Sequence, residues 1–403
     1  MAVGARQHVV VLVPGFLDFA PGAGSVLTRA GERGEANARV AGILRAALEA
    51  HCGLPIPVVS LPASNACNFA TRQRQLLRHL EALDGALRGV RQFHLVGHGP
   101  GGVDAELLTA TLPLKTGATW HDLDPSHLRE RVTSVLTIGA PHYGTHLAEQ
   151  PLLAGRQRPQ SLDMQGLRQV AGVASSLIRE LLTRLRRPRR DNALGALPLM
   201  FKLLREGTLM SELMPHSMQA LRAHNPPDPA LEASVQSIVV SAPELTTEEG
   251  GVLRQPDRLF AALHSLTGSR SLVDAPLALV QAQKLLRGVS ADRVVRHPSA
   301  RVPAFDLSAN DGIVNAVRQL LTTRTNQEHA LAALVIADHA DVLGYYDRRS
   351  PLAPELCQRG GLFRSGAHFG DDEFFHLWGL VAAHIASVAI GEVAPSSTEI
   401  AAQ

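Results

Sequence analysis

The sequence predicts an α/β protein with a mostly parallel β-sheet that is flanked by helices. Two observations support this prediction. Strand patterns alternate with helix patterns through the first 150 residues, and the strand pattern at residues 93–96 leads through a glycine-rich turn directly into a helix pattern. Parallel neighbouring strands need a crossover connection between them, and this connection is usually a helix. The alternation therefore favours a sheet that is covered on both faces.

The elements of the first half follow from local patterns. Residues 8–13 form a continuous run rich in β-branched side chains that Pro14 and Gly15 close, which is typical of a buried strand ending in a sharp loop. Further strands are expected at residues 57–61, 93–96 and 132–138, and helices at residues 35–50, 72–87 and 103–111. A strand, a tight turn and a helix in succession are where such folds place their functional groups.

The second half has a different texture. From residue 152 to residue 227 the alternation stops and helical patterns dominate, so residues 150–232 are expected to form a helical, lid-like insertion over one end of the sheet. Strands are expected again at residues 235–241 and 330–337, with an irregular stretch between them up to about residue 303. A last amphipathic helix is expected at residues 372–390. The chain is thus predicted to be one domain, 1–403, interrupted by this insertion.

Composition excludes several classes of protein. The sequence has 39 Lys and Arg residues against 37 Asp and Glu residues, a formal charge of +2, which argues against a dedicated nucleic-acid binder. The longest purely apolar stretch, residues 330–337, is far shorter than the ~18 residues of a membrane-spanning helix, so no membrane span is expected. The N-terminal residues have no signal-peptide pattern, and the expected location is the cytoplasm. Cys52, Cys67 and Cys357 are interpreted as reduced thiols because their spacing fits neither a zinc site nor a disulfide framework.

Residues 97–101 occupy the place of a G-x-S-x-G nucleophile elbow, but the central residue is Gly99. Here the chain resembles the bacterial lipases of the α/β-hydrolase superfamily, in particular the thermoalkalophilic lipases. The likeness extends across most of the length outside the insertion. The matching stretches are residues 11–16 (VLVPGF), residues 97–105 (GHGPGGVDA), residues 136–145 (LTIGAPHYGT), and the pair 310–315 (NDGIVN) and 338–344 (DHADVLG).

The resemblance implies an α/β-hydrolase fold and a set of site residues. Asp311 matches the acid of the catalytic triad, His339 matches its histidine, and Gly99 stands at the nucleophile position. Phe16 and Pro100 match the two positions whose backbone N–H groups form the oxyanion hole. The order of these positions along the chain, 99, then 311, then 339, is also the order of nucleophile, acid and histidine in this superfamily.

Each of these residues also has a structural interpretation. Asn-Asp-Gly around Asp311 is a common turn sequence, and His339 can be a surface histidine. His368 and His376 are alternative candidates for the histidine. A second interpretation of Gly97, Gly99 and Gly102 is a dinucleotide-binding G-x-G-x-x-G, but the next strand lacks the acid that would bind the ribose.

The departure from the family pattern concerns the chemistry itself. Gly99 has no hydroxyl for a histidine to deprotonate, and Pro100 has no N–H to donate into an oxyanion hole. Loss of a nucleophilic serine costs about 10⁶-fold in kcat, and loss of one oxyanion donor about 10²–10³-fold. The acyl-enzyme route is therefore expected to be lost. The turn itself survives, because glycine accepts positive φ and proline suits the first turn of a helix.

A calcium ion near the histidine loop is a further feature of the family. Asp341 matches one ligand position, but Tyr345 and Tyr346 stand about where a second acid would be expected. Calcium near Asp341 is left open and is not predicted. No other cofactor is expected, and no ligand set of the family's zinc site is found.

Three interpretations of function remain open at this stage. The first is a lipase-like pseudoenzyme that has lost serine hydrolysis and keeps a pocket for a lipid or an ester. The second is a carboxylic-ester hydrolase or a lyase in which His339, oriented by Asp311, activates a water molecule. The third is a scaffold or interaction protein that uses the methionine-rich part of the insertion or the arginine-rich residues 184–190, which also suggest peripheral contact with an anionic lipid surface.

Overall fold

The computed structural model describes twelve stretches of the chain, and everything below concerns these residues. They are residues 7–15, 35–53, 55–62, 68–86, 90–110, 126–149, 207–232, 234–244, 258–268, 277–322, 329–346 and 365–393. Phe16, Cys67, Cys357 and residues 150–206, which include the arginine-rich residues 184–190, lie outside the described stretches.

A seven-stranded parallel sheet organises the described residues. Its order is β2-β1-β3-β4-β5-β7-β6, and every pairing between neighbouring strands is parallel. The strands are β1 (Gln7–Val13), β2 (Val58–Ser60), β3 (Val90–His98), β4 (Val132–Ile138), β5 (Val235–Ser241), β6 (Val294–Val295) and β7 (Leu331–Ile336). The prediction of a mostly parallel sheet flanked by helices is confirmed.

The apolar runs in these strands are continuous because both faces of the sheet are covered. Along β1, Val10 and Leu12 face one hydrophobic core, while Val9 and Val11 face the core on the other side of the sheet. All four side chains are at most 1% exposed. Strands buried on both sides contain unbroken apolar runs instead of an alternating pattern.

Helices cover the two faces. They are α1 (Glu35–Cys52), α2 (Phe69–Ala86), α3 (Pro100–Leu107), α4 (Ser126–Arg129), α5 (Gly207–Glu212), α6 (Pro215–His224), α7 (Pro229–Glu232), α8 (Arg258–Thr267), α9 (Leu277–Arg287), α10 (Ala316–Gln319) and α11 (Asp371–Val393). Helices α1 and α11 pack together on the face that Val10 and Leu12 share, and α2 lies on the opposite face.

The expected elements differ from the observed ones in two places. The elbow helix begins at Pro100 instead of residue 103, since proline at the first helical position leaves no N–H without a partner. The stretch expected to be irregular before residue 303 contains α8, α9 and the two-residue strand β6. Both helices are amphipathic but short, at 10 and 11 residues, so only about three turns of pattern distinguish each of them from the irregular sequence around it.

The described end of the predicted insertion, residues 207–232, is helical and packed onto the body of the protein. Met210, Met214 and Met218 are 1%, 8% and 0% exposed. The backbone N–H of Phe69 at the start of α2 donates to Glu212 Oε2 at 2.7 Å. The expectation that these methionines form a contact surface is therefore wrong, because they belong to the core. The lid role of residues 150–232 stays a prediction.

Helix α11 is apolar along most of its length. Its residues Asp371–Ile390 have a mean hydropathy of 1.4, which by length and composition alone would allow a membrane crossing. In this structure half of that stretch is buried inside the protein, and Trp378 is fully buried and donates to the carbonyl of Val342 at 3.2 Å. These contacts are those of a core helix, and no membrane span is shown.

Candidate active site

The turn between β3 and α3 is a sharp elbow centred on Gly99. Its φ is 53° and its ψ is −131°, a conformation that residues with a side chain rarely adopt. The neighbouring glycines allow backbones to approach closely: a Cβ on Gly101 would lie 2.2 Å from the carbonyl oxygen of Val13, and one on Gly97 would lie 2.5 Å from Gly102 Cα. The glycines of this segment thus serve the tight packing of strand, turn and helix.

Asp311 and His339 form a buried hydrogen-bonded dyad at the carboxyl end of the sheet. His339 Nδ1 lies 2.7 Å from Asp311 Oδ2, and the two side chains are 1% and 0% exposed. His339 comes three residues after β7, and its backbone N–H donates to the carbonyl of Asp311 at 3.0 Å. The structure therefore brings together two residues that are 28 positions apart in sequence.

The other nitrogen of the imidazole points at the elbow. A Cβ built on Gly99 would lie 3.2 Å from His339 Nε2 and 3.6 Å from Cε1, and apart from Gly99 and its two chain neighbours no other described atom would lie within 4 Å. His339 Nε2 is buried and has no hydrogen-bond partner among the described residues. The three candidate residues Gly99, Asp311 and His339 thus have the arrangement of a catalytic triad whose first member lacks a side chain.

The loop around Asp311 satisfies its carboxylate. Asp311 Oδ1 accepts from the backbone N–H groups of Ile313 at 2.9 Å and Val314 at 2.7 Å, and Oδ2 accepts from Gln319 Nε2 at 3.2 Å as well as from His339. Gln319 is itself fixed to β5, because its amide exchanges two hydrogen bonds with the backbone of Val240. Four donors hold the carboxylate in one orientation, and this orientation fixes the imidazole.

Two further residues surround the imidazole. His98 lies beside it, with ring centroids 4.4 Å apart, and its Nε2 donates to the carbonyl of His339 at 3.0 Å. Burial, reinforced by the neighbouring His339, holds the pKa of His98 well below its usual value, so this ring is neutral. A Cβ on Gly139, whose φ is 59°, would lie 3.2 Å from His339 Nδ1, and glycine at this position therefore makes room for the dyad.

Of the two predicted oxyanion positions, Pro100 and Phe16, only Pro100 belongs to the described residues. Pro100 occupies the first helical position of α3 and has no N–H to donate. Phe16 lies outside the described residues. The strand end that precedes it is held in place, because Arg72 on α2 donates from Nη2 to the carbonyl of Pro14 at 3.1 Å.

Buried ion pairs fix the elbow helix from both sides. Arg72 Nε lies 2.7 Å from Asp104 Oδ2, and both side chains are nearly inaccessible. Burial raises the pKa of Asp104 despite the attraction of Arg72, which shows how much desolvation opposes this pair. On the other side, Arg222 of α6 pairs with Glu106.

Arg222 also reaches the loop after β4. Its Nη2 lies 2.9 Å from His142 Nδ1, and the Nε2 of that histidine bonds Thr137 Oγ1 at 3.0 Å. Burial, followed by the charge of Arg222, lowers the pKa of His142 well below its usual value. No sequence motif pointed to these partners of the elbow helix, to Gln319 or to Arg72.

The two acids of the loop that was matched to a calcium site accept hydrogen bonds from the loop's own backbone, and calcium near Asp341 stays an open expectation. Asp338 Oδ1 accepts from the backbone N–H groups of Ala340 and Asp341, and Asp341 Oδ2 accepts from the N–H of Asp338. Tyr345 and Tyr346 are buried in the core. Within the described stretches, no three His, Cys, Asp or Glu side chains are placed to hold a metal ion. No step of a mechanism is therefore assigned to calcium.

The alternative histidines are engaged elsewhere. His376 is exposed on α11, and the His368 ring lies 5.5 Å from the His297 ring, centroid to centroid. Neither has a described contact with Gly99 or Asp311.

Comparisons with known proteins were made for the whole chain. No protein-family model and no curated protein matches it. One similar solved structure is the mature lipase BlEst2 of Bacillus licheniformis, which is 12% identical in sequence. The match covers 84% of this chain and 88% of that chain, with a TM-score of 0.40. EstA from Clostridium botulinum has 12% identity, coverage of 95% and 89%, and a TM-score of 0.42. Lipase 1 from Pelosinus fermentans has 14% identity, coverage of 94% and 99%, and a TM-score of 0.42.

These structural neighbours are bacterial lipases and esterases, and likenesses at this level assign no activity to the chain. The parallel sheet, the elbow after β3 and the Asp311 and His339 loops at the carboxyl end of the sheet give the chain the α/β-hydrolase fold that the sequence resemblance implies.

Proposed function

We propose that this chain is a lipase- or esterase-like α/β-hydrolase protein that binds a lipid or an ester beside Gly99 and has lost the acyl-enzyme route. The observation that carries the proposal is the juxtaposition of an ordered Asp311–His339 dyad with a glycine where the serine hydroxyl would be. Pro100 supports it, because the helix position after Gly99 cannot donate a hydrogen bond to an oxyanion.

Retention of the dyad has an energetic cost. His339 Nε2 is buried without a partner among the described residues, and an unsatisfied buried polar group costs about 1–3 kcal/mol. A bound ligand or a water molecule that hydrogen-bonds to Nε2 would remove this cost. The dyad therefore serves as a polar contact at the base of a ligand site, with His339 Nε2 directed at Gly99.

The test is hydrolysis and binding measured together. Short- and long-chain 4-nitrophenyl esters are incubated with the wild-type protein, with His339→Ala and with Gly99→Ser combined with Pro100→Gln. We expect turnover from the double variant alone, and binding of a non-chromogenic methyl ester by the wild type, with the ester recovered intact. Turnover by the wild type, or absence of ester binding, would contradict the proposal.

One observation favours a second candidate function. His339 Nε2 lies 3.2 Å from a Cβ built on Gly99 and has no partner among the described residues, so it is placed to hydrogen-bond a water molecule that the imidazole activates as a general base, with Asp311 holding the ring. Such a protein would be a carboxylic-ester hydrolase without a covalent intermediate. Wild-type turnover that His339→Ala abolishes and that a fluorophosphonate does not inhibit would identify this mechanism.

The scaffold interpretation has less support. Its methionine surface is buried in the described residues, and its arginine-rich segment, residues 184–190, lies outside them. The cytoplasmic location stays a prediction.

A further inference from the structure

A cleft of about 350 Å³ lies next to the elbow, at the carboxyl ends of β1 and β2. Val13 and Pro14 form one wall, Leu61 stands at the end of β2, and α2 supplies the opposite side. The cleft shares its wall with the candidate active site, because the carbonyls of Val13 and Pro14 are the atoms that a Cβ on Gly101 would meet, at 2.2 and 2.6 Å.

Half of the residues that line the cleft are apolar. Val13, Leu61 and Leu76 are 4%, 8% and 3% exposed, and Pro62 lies beside them. The volume is at the lower end of the range for small-molecule sites, about 300–1,000 Å³. A single chain of medium length suits this space better than a two-chain lipid does.

The rim of the cleft carries basic groups. Asp104 is the one acid among the described lining residues, and Arg72 already pairs with it. Arg78 and His79 of α2 also line the cleft. Arg78 is exposed and His79 is half-buried. The remaining fixed charge is that of Arg78, which favours an anionic group near the rim because a guanidinium binds a carboxylate through charge-assisted hydrogen bonds.

We propose that this cleft binds the carboxylate of a single-chain amphiphile, in the manner of a medium-chain fatty acid, with Arg78 and His79 at its head group and Leu61 and Leu76 along its chain. The inference rests on the proposed function, since a protein that cleaves no ester must receive its carboxylate from another reaction. The class of reaction that supplies the ligand is ester hydrolysis, which releases free carboxylic acids.

The test compares decanoate with methyl decanoate, which has the same chain and no charge. Both are titrated by calorimetry into the wild type, Arg78→Gln, the double variant Arg78→Gln with His79→Gln, and Arg45→Gln as the matched control. Arg45 is an exposed arginine on α1, on the other face of the sheet. Circular dichroism verifies that each variant is folded.

We expect the wild type and the control to bind decanoate about fivefold more tightly than the ester, as a partly exposed ion pair provides. Arg78→Gln should abolish most of this preference, and the double variant all of it. If the wild type binds decanoate and methyl decanoate with equal affinity, or if Arg78→Gln keeps the full preference for decanoate, the cleft assignment is overturned. In either case, binding of the ester leaves the proposed function standing. Binding of neither ligand would overturn both.

Discussion

Substitution of Gly99 tests the geometry of the candidate site most directly. An alanine at this position places a Cβ 3.2 Å from His339 Nε2, on a backbone with φ of 53°. A positive φ combined with a ψ of −131° is a sparsely populated conformation for an L-residue and costs about 1–3 kcal/mol, and the short contact adds to this. A serine has the same cost, but its hydroxyl reaches Nε2, which lacks a partner among the described residues. That hydrogen bond is worth about 0.5–1.5 kcal/mol.

We therefore expect Gly99→Ala to lower the free energy of unfolding by about 2–3 kcal/mol, and Gly99→Ser to lower it by about 1 kcal/mol less. Replacing glycine lowers the conformational entropy of the unfolded chain, and this stabilising effect is common to both variants and largely cancels in the difference. Urea denaturation at constant m-value measures the difference, and labelling by a fluorophosphonate reports an activated hydroxyl. Only Gly99→Ser should be labelled.

A His339→Ala background provides the control for this experiment. There the difference in stability between serine and alanine at position 99 should vanish, together with the labelling. If the serine variant is no more stable than the alanine variant and is not labelled with His339 intact, the imidazole does not face position 99 as described, and the reasoning about the site is refuted.

Three further predictions concern groups around the site. Burial raises the pKa of Asp338 to about 7, above its usual value. Between pH 4 and 7 the folded state therefore binds more protons than the unfolded state, and the free energy of unfolding falls as the pH rises. Asp338→Asn should flatten this pH dependence, which thermal unfolding at pH 5 and pH 8 measures. Arg72→Met should cost about 3–5 kcal/mol in urea denaturation because it leaves the buried Asp104 unpaired, and adding Asp104→Leu should recover most of that loss. Gly139→Ala should displace the imidazole, since its Cβ would lie 3.2 Å from His339 Nδ1; fluorophosphonate labelling in the Gly99→Ser background should slow at least tenfold, and an unchanged rate would count against the described packing.

Several features of the fold could be predicted from local sequence. Strands β1, β4 and β5 were found almost to the residue, because a strand buried on both faces has an unbroken apolar run. Asp311 and His339 were identified as candidates because their loops are contiguous motifs. The structure adds that the two are hydrogen-bonded at 2.7 Å, which a motif can imply but not measure.

The partners of these residues carried no comparable signal. Gln319, which donates to the carboxylate of Asp311, stands in a four-residue helix without a motif of its own. Arg222 pairs with Glu106 across 116 positions of the chain. Whether an arginine is a solvated surface residue or half of a buried ion pair depends on what packs against it, and no periodic pattern records that.

The sequence by itself determined the parallel α/β architecture and the glycine at the centre of the elbow, because both are written in contiguous residues. Only the tertiary structure decided that the Asp311–His339 dyad is assembled, that its free nitrogen faces Gly99 and that a cleft with a basic rim lies beside the elbow. Strand and turn patterns arise from short-range geometry along the backbone. The site arises from side chains that strands and helices far apart in sequence bring to one edge of the sheet, and their distances are set by packing.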